Sequence, residues 1–158
     1  MVRVDDSTIQ PANGVIDVTY YTLRPEVAGG LGDGTVMDTT VHPPIVERLH
    51  YEFEDWLGDD LVESFPCFLV SEPLALRLAA EDLGAFQLKD VAVTMTPEAE
   101  ELLADTAFPD FRWLDVSGTA GRDDVATDLT GLLVVSDQAL AVLQEFNISN
   151  CGVEPFQP

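Results

Sequence analysis

Two stretches, "LVSEPLALRLAAEDL" (69–83) and "VVSDQALAVLQEFNI" (134–148), limit what this chain can fold into. In each, a short apolar run ends at a serine, an acid follows, and apolar residues then recur at helical spacing. Aligned, Ser71 meets Ser136 and Leu78 meets Leu143. A serine oxygen accepts the unpaired amides of a first helical turn, and an acid beside it faces the positive end of the helix dipole. Each stretch therefore predicts a strand running into a helix, with Pro73 just inside the first helix and Gly84 closing it. Two similar strand-helix-strand units of this kind are expected to build one sheet.

The remaining chain adds strands around these units. "VIDVTYYTL" (15–23) alternates Ile16, Val18 and Tyr20 against Asp17, Thr19 and Tyr21, the pattern of a strand with one covered face. The glycine- and proline-rich run 24–44 reads as a loop. Its Gly29, Gly30, Gly32 and Gly34 lack the lysine and the strand-to-helix context of a phosphate-binding loop. "SFPCFLV" (64–70) is a strand with Pro66 near its start. "AFQLKDVAVTM" (85–95) changes parity at Asp90, which predicts a bulge or break there. Thr96 and Pro97 open a short helix through Leu103. "FRWLDVS" (111–117) is a strand that turns Trp113 into the core, residues 118–131 a turn, "LLVV" a strand, and "CGVEPF" a last short strand. The fold class is α+β: a single domain over 15–158, with a mixed or antiparallel sheet packed by helices on one face. Residues 1–14 lack periodicity and are expected to form a flexible arm.

The segment 44–58 fits two periods. At about 100° per residue from Pro44, the positions Ile45, Val46, Leu49, Phe53, Trp56 and Leu57 share one arc, and Gly58 stands where a helix would end. Leu49, Tyr51 and Phe53 also alternate as in a strand. The helix is favoured, because alternation fails at Asp55-Trp56-Leu57. Its outer arc would carry Glu47, Arg48, Tyr51, Glu52, Glu54 and Asp55, a ring of acids around one tyrosine.

Charge decides which partners suit such a surface. The formal net charge is −22, from 29 acids against 7 Lys and Arg. Nucleic acid is disfavoured, since its binding rests on neutralised phosphates, and an anionic membrane surface is disfavoured in the same way. Arginine outnumbers lysine and aspartate outnumbers glutamate, as a GC-rich or salt-adapted proteome also produces. That bias does not account for a fourfold excess of acids. A partner rich in lysine and arginine does, because a negative face speeds encounter with a cationic protein. The expected contact residues are Tyr51 as an aromatic anchor with Glu47, Glu54 and Asp55, extended by Asp59, Asp60 and Glu63.

Chemistry of other kinds lacks a pattern. The two histidines, His42 and His50, have no nucleophile or HExxH partner. Asp59, Asp60 and Glu63 suggest a carboxylate pair or metal-dependent hydrolase only by proximity in a very acidic chain. Asp123, Asp124 and Asp128 do not keep EF-hand spacing. Cys67 and Cys151 lie in apolar contexts without CxxC spacing, so free thiols are expected and no cofactor or metal is implied. The N-terminus shows no signal-peptide core and no apolar run is of spanning length, so a cytoplasmic location is expected.

The run "RLHYEFEDWLGDDLVESFPCFLVSEPLALRL", with "FRWLDVSGTAGRDD" and "LLVVSDQALAVLQEF" downstream, resembles a family of bacterial immunity proteins encoded beside polymorphic-toxin genes. The likeness spans residues 18 to 156. It implies an α+β domain that binds and neutralises a cognate toxin in the producing cell, with no catalytic residues. An acidic scaffold and the hydrolase stand as alternatives, and self-association stays open.

Overall fold

The computed structural model describes residues 18–157; the expected arm at 1–14 and the first residues of the expected strand at 15–23 lie outside them. The elements run β1 (Tyr20–Arg24), β2 (Gly29–Leu31), β3 (Val36–Asp38), β4 (Ile45–Arg48), β5 (His50–Phe53), β6 (Leu61–Ser64), β7 (Cys67–Ser71), α1 (Glu72–Ala79), β8 (Phe86–Lys89) and β9 (Ala92–Met95). Then follow α2 (Pro97–Leu102), β10 (Phe111–Val116), β11 (Gly118–Thr119), β12 (Val125–Thr127), β13 (Leu133–Ser136), α3 (Asp137–Leu143) and β14 (Gly152–Pro155). The fold is α+β and dominated by strands, with mixed and antiparallel pairing.

The expected single sheet is instead four: β11-β12-β13-β1-β14, β6-β7-β10-β8, β2-β5-β9 and the hairpin β3-β4. The second of these is the middle layer. Along β7 every residue is buried, yet Phe68 and Val70 join one core while Cys67 and Leu69 join another. Successive strand side chains point to opposite faces, so a sheet covered on both sides reads as a continuous apolar run. Phe111 and Trp113 of β10 face the second core, and Leu114 faces the first. Each fully buried side chain of this size contributes roughly 1.5–3 kcal/mol.

The two serine-acid units are real but belong to different sheets. In the first, hairpin β6-β7 leads into α1; in the second, hairpin β12-β13 leads into α3. A shared latch, unseen in the sequence, fixes both. The Ser71 hydroxyl donates to the Asp60 carboxylate at 2.6 Å and the Ser71 amide to the Asp60 carbonyl at 2.8 Å. The Ser136 hydroxyl and amide donate in the same way to Asp124, at 2.7 and 2.9 Å. The helices pack against each other and on the first core.

Several expectations need correction. Within 44–58 the chain forms β4 and β5, not a helix, because Tyr51 and Phe53 are fully buried while the alternating His50 and Glu52 are only half-buried. On β1 the face turned to the core carries Tyr21 and Leu23, and Val18 is exposed. The presumed loop 24–44 contains β2 and β3, and the presumed turn 118–131 contains β11 and β12. Helix α1 stops at Ala79, well before Gly84, and Ser71 makes no side-chain cap; its hydroxyl donates to Asp60. The break at Asp90 holds: β8 stays in the middle sheet and β9 joins β5 in parallel. Thr96 caps α2 and Ser136 caps α3, accepting from the Ala99 and Ala139 amides. Trp113 is a core residue.

Candidate partner-binding surface

The seven residues expected at the contact do not share one face. Tyr51 is fully buried: its hydroxyl accepts from the Ala28 amide at 3.1 Å and donates to the Glu63 carbonyl at 2.9 Å. Burial pushes its phenol up, with the charges of Glu26 and Glu63 adding to that. It is therefore a core strut and not an exposed anchor. Asp59 is also fully buried, and its carboxylate accepts from the Asn150 amide and side chain, both at 2.9 Å. Asp60 is half-buried and holds Ser71 with one oxygen and the Asn147 amide with the other. Both aspartates thus pin the 147–150 segment to the start of β6, a structural duty that explains their adjacency without catalysis.

Glu47, Glu54 and Asp55 are exposed. Glu47 lies on β4 beside the Val36, Met37 and Ile45 surface. Glu54 and Asp55 follow β5, their amides held by the Ala28 carbonyl. Glu63 is half-buried on β6, and burial raises its carboxyl against the opposing pull of Arg24. One carboxylate missed in the sequence is Glu26, only 6% exposed, which accepts from the Leu57 amide at 2.7 Å and the Asp59 amide at 3.3 Å. Burial raises its carboxyl, those two amides lower it, and Asp59 and Asp55 raise it further.

What the fold does bring together is two stretches that contain no lysine or arginine, 49–76 and 90–111. The parallel pairing of β5 with β9 sets them side by side, with Glu52 opposite Thr94. A groove of about 900 Å³ opens between β9 and residues 108–112. Val93, Met95, Phe108 and Phe111 supply its apolar lining, and Glu72, Asp90, Glu100 and Asp110 its carboxylates. Arg112, the cation there, is already engaged: it lies 3.8 Å from Asp90 and leans on the Leu88 and Lys89 carbonyls. The wall behind the lining is an aromatic cluster in which Phe53, Phe108 and Phe111 meet at centroid distances of 4.9 to 5.4 Å. Trp56 closes the cluster edge-on, its indole donating to the Asp59 carbonyl.

The signal that could have found this groove was present. Absence of cations from 49–76 and 90–111 is readable in the sequence, and the parity change at Asp90 marks where β9 leaves β8. The partners of each stretch came only with the fold.

Both histidines have structural partners. The His50 ring accepts from the Gly34 amide at Nδ1, 3.0 Å, and its Nε2 meets the Thr94 hydroxyl at 2.7 Å. Gly32 is required there, since a Cβ would fall inside the imidazole. His42 stacks on Phe65. Both cysteines are free; burial pushes the Cys67 thiol to about 12 and the Cys151 thiol to about 11, so neither is a ready nucleophile at neutral pH. Among the described residues no group of three or more His, Cys, Asp or Glu side chains is placed to hold a metal ion, and no helix is long and apolar enough to cross a membrane. No protein-family model matches the sequence, and no curated protein matches it.

Proposed function

We propose that the chain is a non-catalytic immunity protein of the cytoplasm, which binds and neutralises a cognate basic toxin. One observation carries this reading: two cation-free acidic stretches meet beside an apolar groove. Clustered carboxylates next to an apolar lining that a partner would desolvate suit a cationic protein surface, the charges steering encounter and the lining holding the complex. The likeness of residues 18–156 to immunity proteins supports the same class. Toxins that act on nucleic acid need a positive cleft, which an acidic inhibitor would cover.

Within this reading the exposed Glu47, Glu54 and Asp55 keep the contact role assigned from sequence, while Tyr51 and Asp59 are withdrawn from it because both are buried. The test is co-expression with the product of the neighbouring gene. Protection of the host together with a complex in pull-down is expected; loss of both overturns the reading.

A further inference from the structure

The groove has a backbone property besides its acidic rim. β9 ends its sheet, so among the described residues one edge of it has no strand partner. The Ala92 and Thr96 amides donate to Leu49 and Phe53 carbonyls on the β5 side. Alternate residues of a strand present their backbone groups to opposite edges, so those of Val93 and Met95 point away from β5, and both residues line the groove. The far wall has also lost its strand. β8 last pairs with β10 at Lys89 and Trp113, and beyond Asp90 the two paths separate around the gap.

Building on the immunity reading, we propose that this groove takes an extended segment of the partner, laid along β9 as an added strand. Alternate arginine or lysine side chains meet Glu72, Asp90, Glu100 and Asp110, and the apolar side chains between them rest on Val93 and Phe108. Strand addition draws affinity from main-chain hydrogen bonds and specificity from alternate side chains, and the four residues of β9 offer about 13 Å of edge. Charge selects the occupant. Four carboxylates face one guanidinium that Asp90 already holds, so a basic strand is attracted and an acidic one repelled. A second copy of this chain, at −22, is the wrong occupant for the same reason.

The probe is a capped hexapeptide alternating arginine and valine, titrated into the isotope-labelled protein. Hydrogen exchange at the Val93 and Met95 amides is expected to slow on binding. Glu100→Lys with Asp110→Lys, both at exposed positions, is expected to weaken binding at least about tenfold, and Asp82→Lys with Asp137→Lys, an equal change in net charge, less than about threefold. Protection confined to other amides, or equal loss in the two double variants, overturns the groove. A toxin that binds the native chain and the Glu100→Lys, Asp110→Lys variant equally well also overturns it, yet leaves the immunity reading standing. Capture of the peptide at β9 while the neighbouring gene's product does not bind supports the groove and sinks the immunity reading.

Discussion

The core beneath α1 and α3 is built from leucine, valine and alanine with Phe68, whereas the core between the middle sheet and β2-β5-β9 is built around Tyr51, Phe53, Phe111 and Trp113. The surfaces differ in step with the interiors. Around the aliphatic core the cations sit among the acids: Arg77 bridges Glu81 and Glu145, and Arg24 meets Glu154. Lys89 and Arg112 stand at the seam, on Asp115 and Asp90. On the aromatic side Lys89 lies over the Trp113 ring and Arg48 ends β4, but stretches 49–76 and 90–111 carry acids and no cation. Exposed ion pairs add little stability, so the contrast says less about holding the fold than about where negative potential is left over. It is left over beside the groove.

The contrast can be broken most severely from inside. Phe53→Ala empties a fully buried site that touches Tyr51, Phe108 and Phe111, and is expected to cost about 3–5 kcal/mol in urea unfolding. A cost near 1 kcal/mol would mean that the aromatic side is not a packed core. Asp59→Ala removes the buried carboxylate that accepts two hydrogen bonds from Asn150, and about 2 kcal/mol should be lost at neutral pH.

The two latches give a finer comparison. Ser136 both holds Asp124 and caps α3, while Ser71 holds Asp60 and caps nothing. Ser136→Ala should therefore cost more than Ser71→Ala by about 1 kcal/mol, the usual worth of a cap. Equal losses in paired denaturation curves would show that the cap is idle.

The smallest effect concerns pH. Glu26 and Glu63 have folded values raised above the ordinary 4.5, so the folded state takes up protons more readily than the unfolded chain. Their stabilising contribution is complete below 4.5 and is lost as pH rises through the folded value. Asp128 runs the other way. Burial raises its carboxyl, but the Thr130 hydroxyl and the Leu132, Thr130 and Gly131 amides outweigh that and hold it low, so its contribution is lost as pH falls through the folded value. Stability should thus rise on acidifying from about pH 7 toward 5. Glu26→Gln, with Glu63→Gln beside it, should flatten that rise in melting curves; an unchanged slope would remove these two carboxyls as its source.

How legible all this was depended on the range of the deciding contacts. Helices α2 and α3 were readable because Thr96 and Ser136 cap their own first turns, a local bond. Strands β7 and β10 were readable from continuous or alternating apolar runs. Segment 44–58 misled because Leu49 and Phe53 sit on a strand face and a helix stripe alike, and only the β2 and β9 neighbours decide between them. The strands β2, β3, β11 and β12 are two or three residues long, too short to display a period. Of the candidate site, exposed Glu47, Glu54 and Asp55 were legible as surface acids. Asp59 and Asp60 looked the same in sequence, but their partners Asn150 and Asn147 lie 91 and 87 residues away. Glu26 was hidden likewise, gripping a loop 31 residues downstream.

The central claim is that unneutralised acid above the aromatic core captures a cationic protein, and the association rate with the neighbouring gene's product tests it most directly. Measured by stopped flow from about 20 to 500 mM salt, the rate should fall by roughly tenfold or more while dissociation changes little. A rate indifferent to salt would contradict the claim.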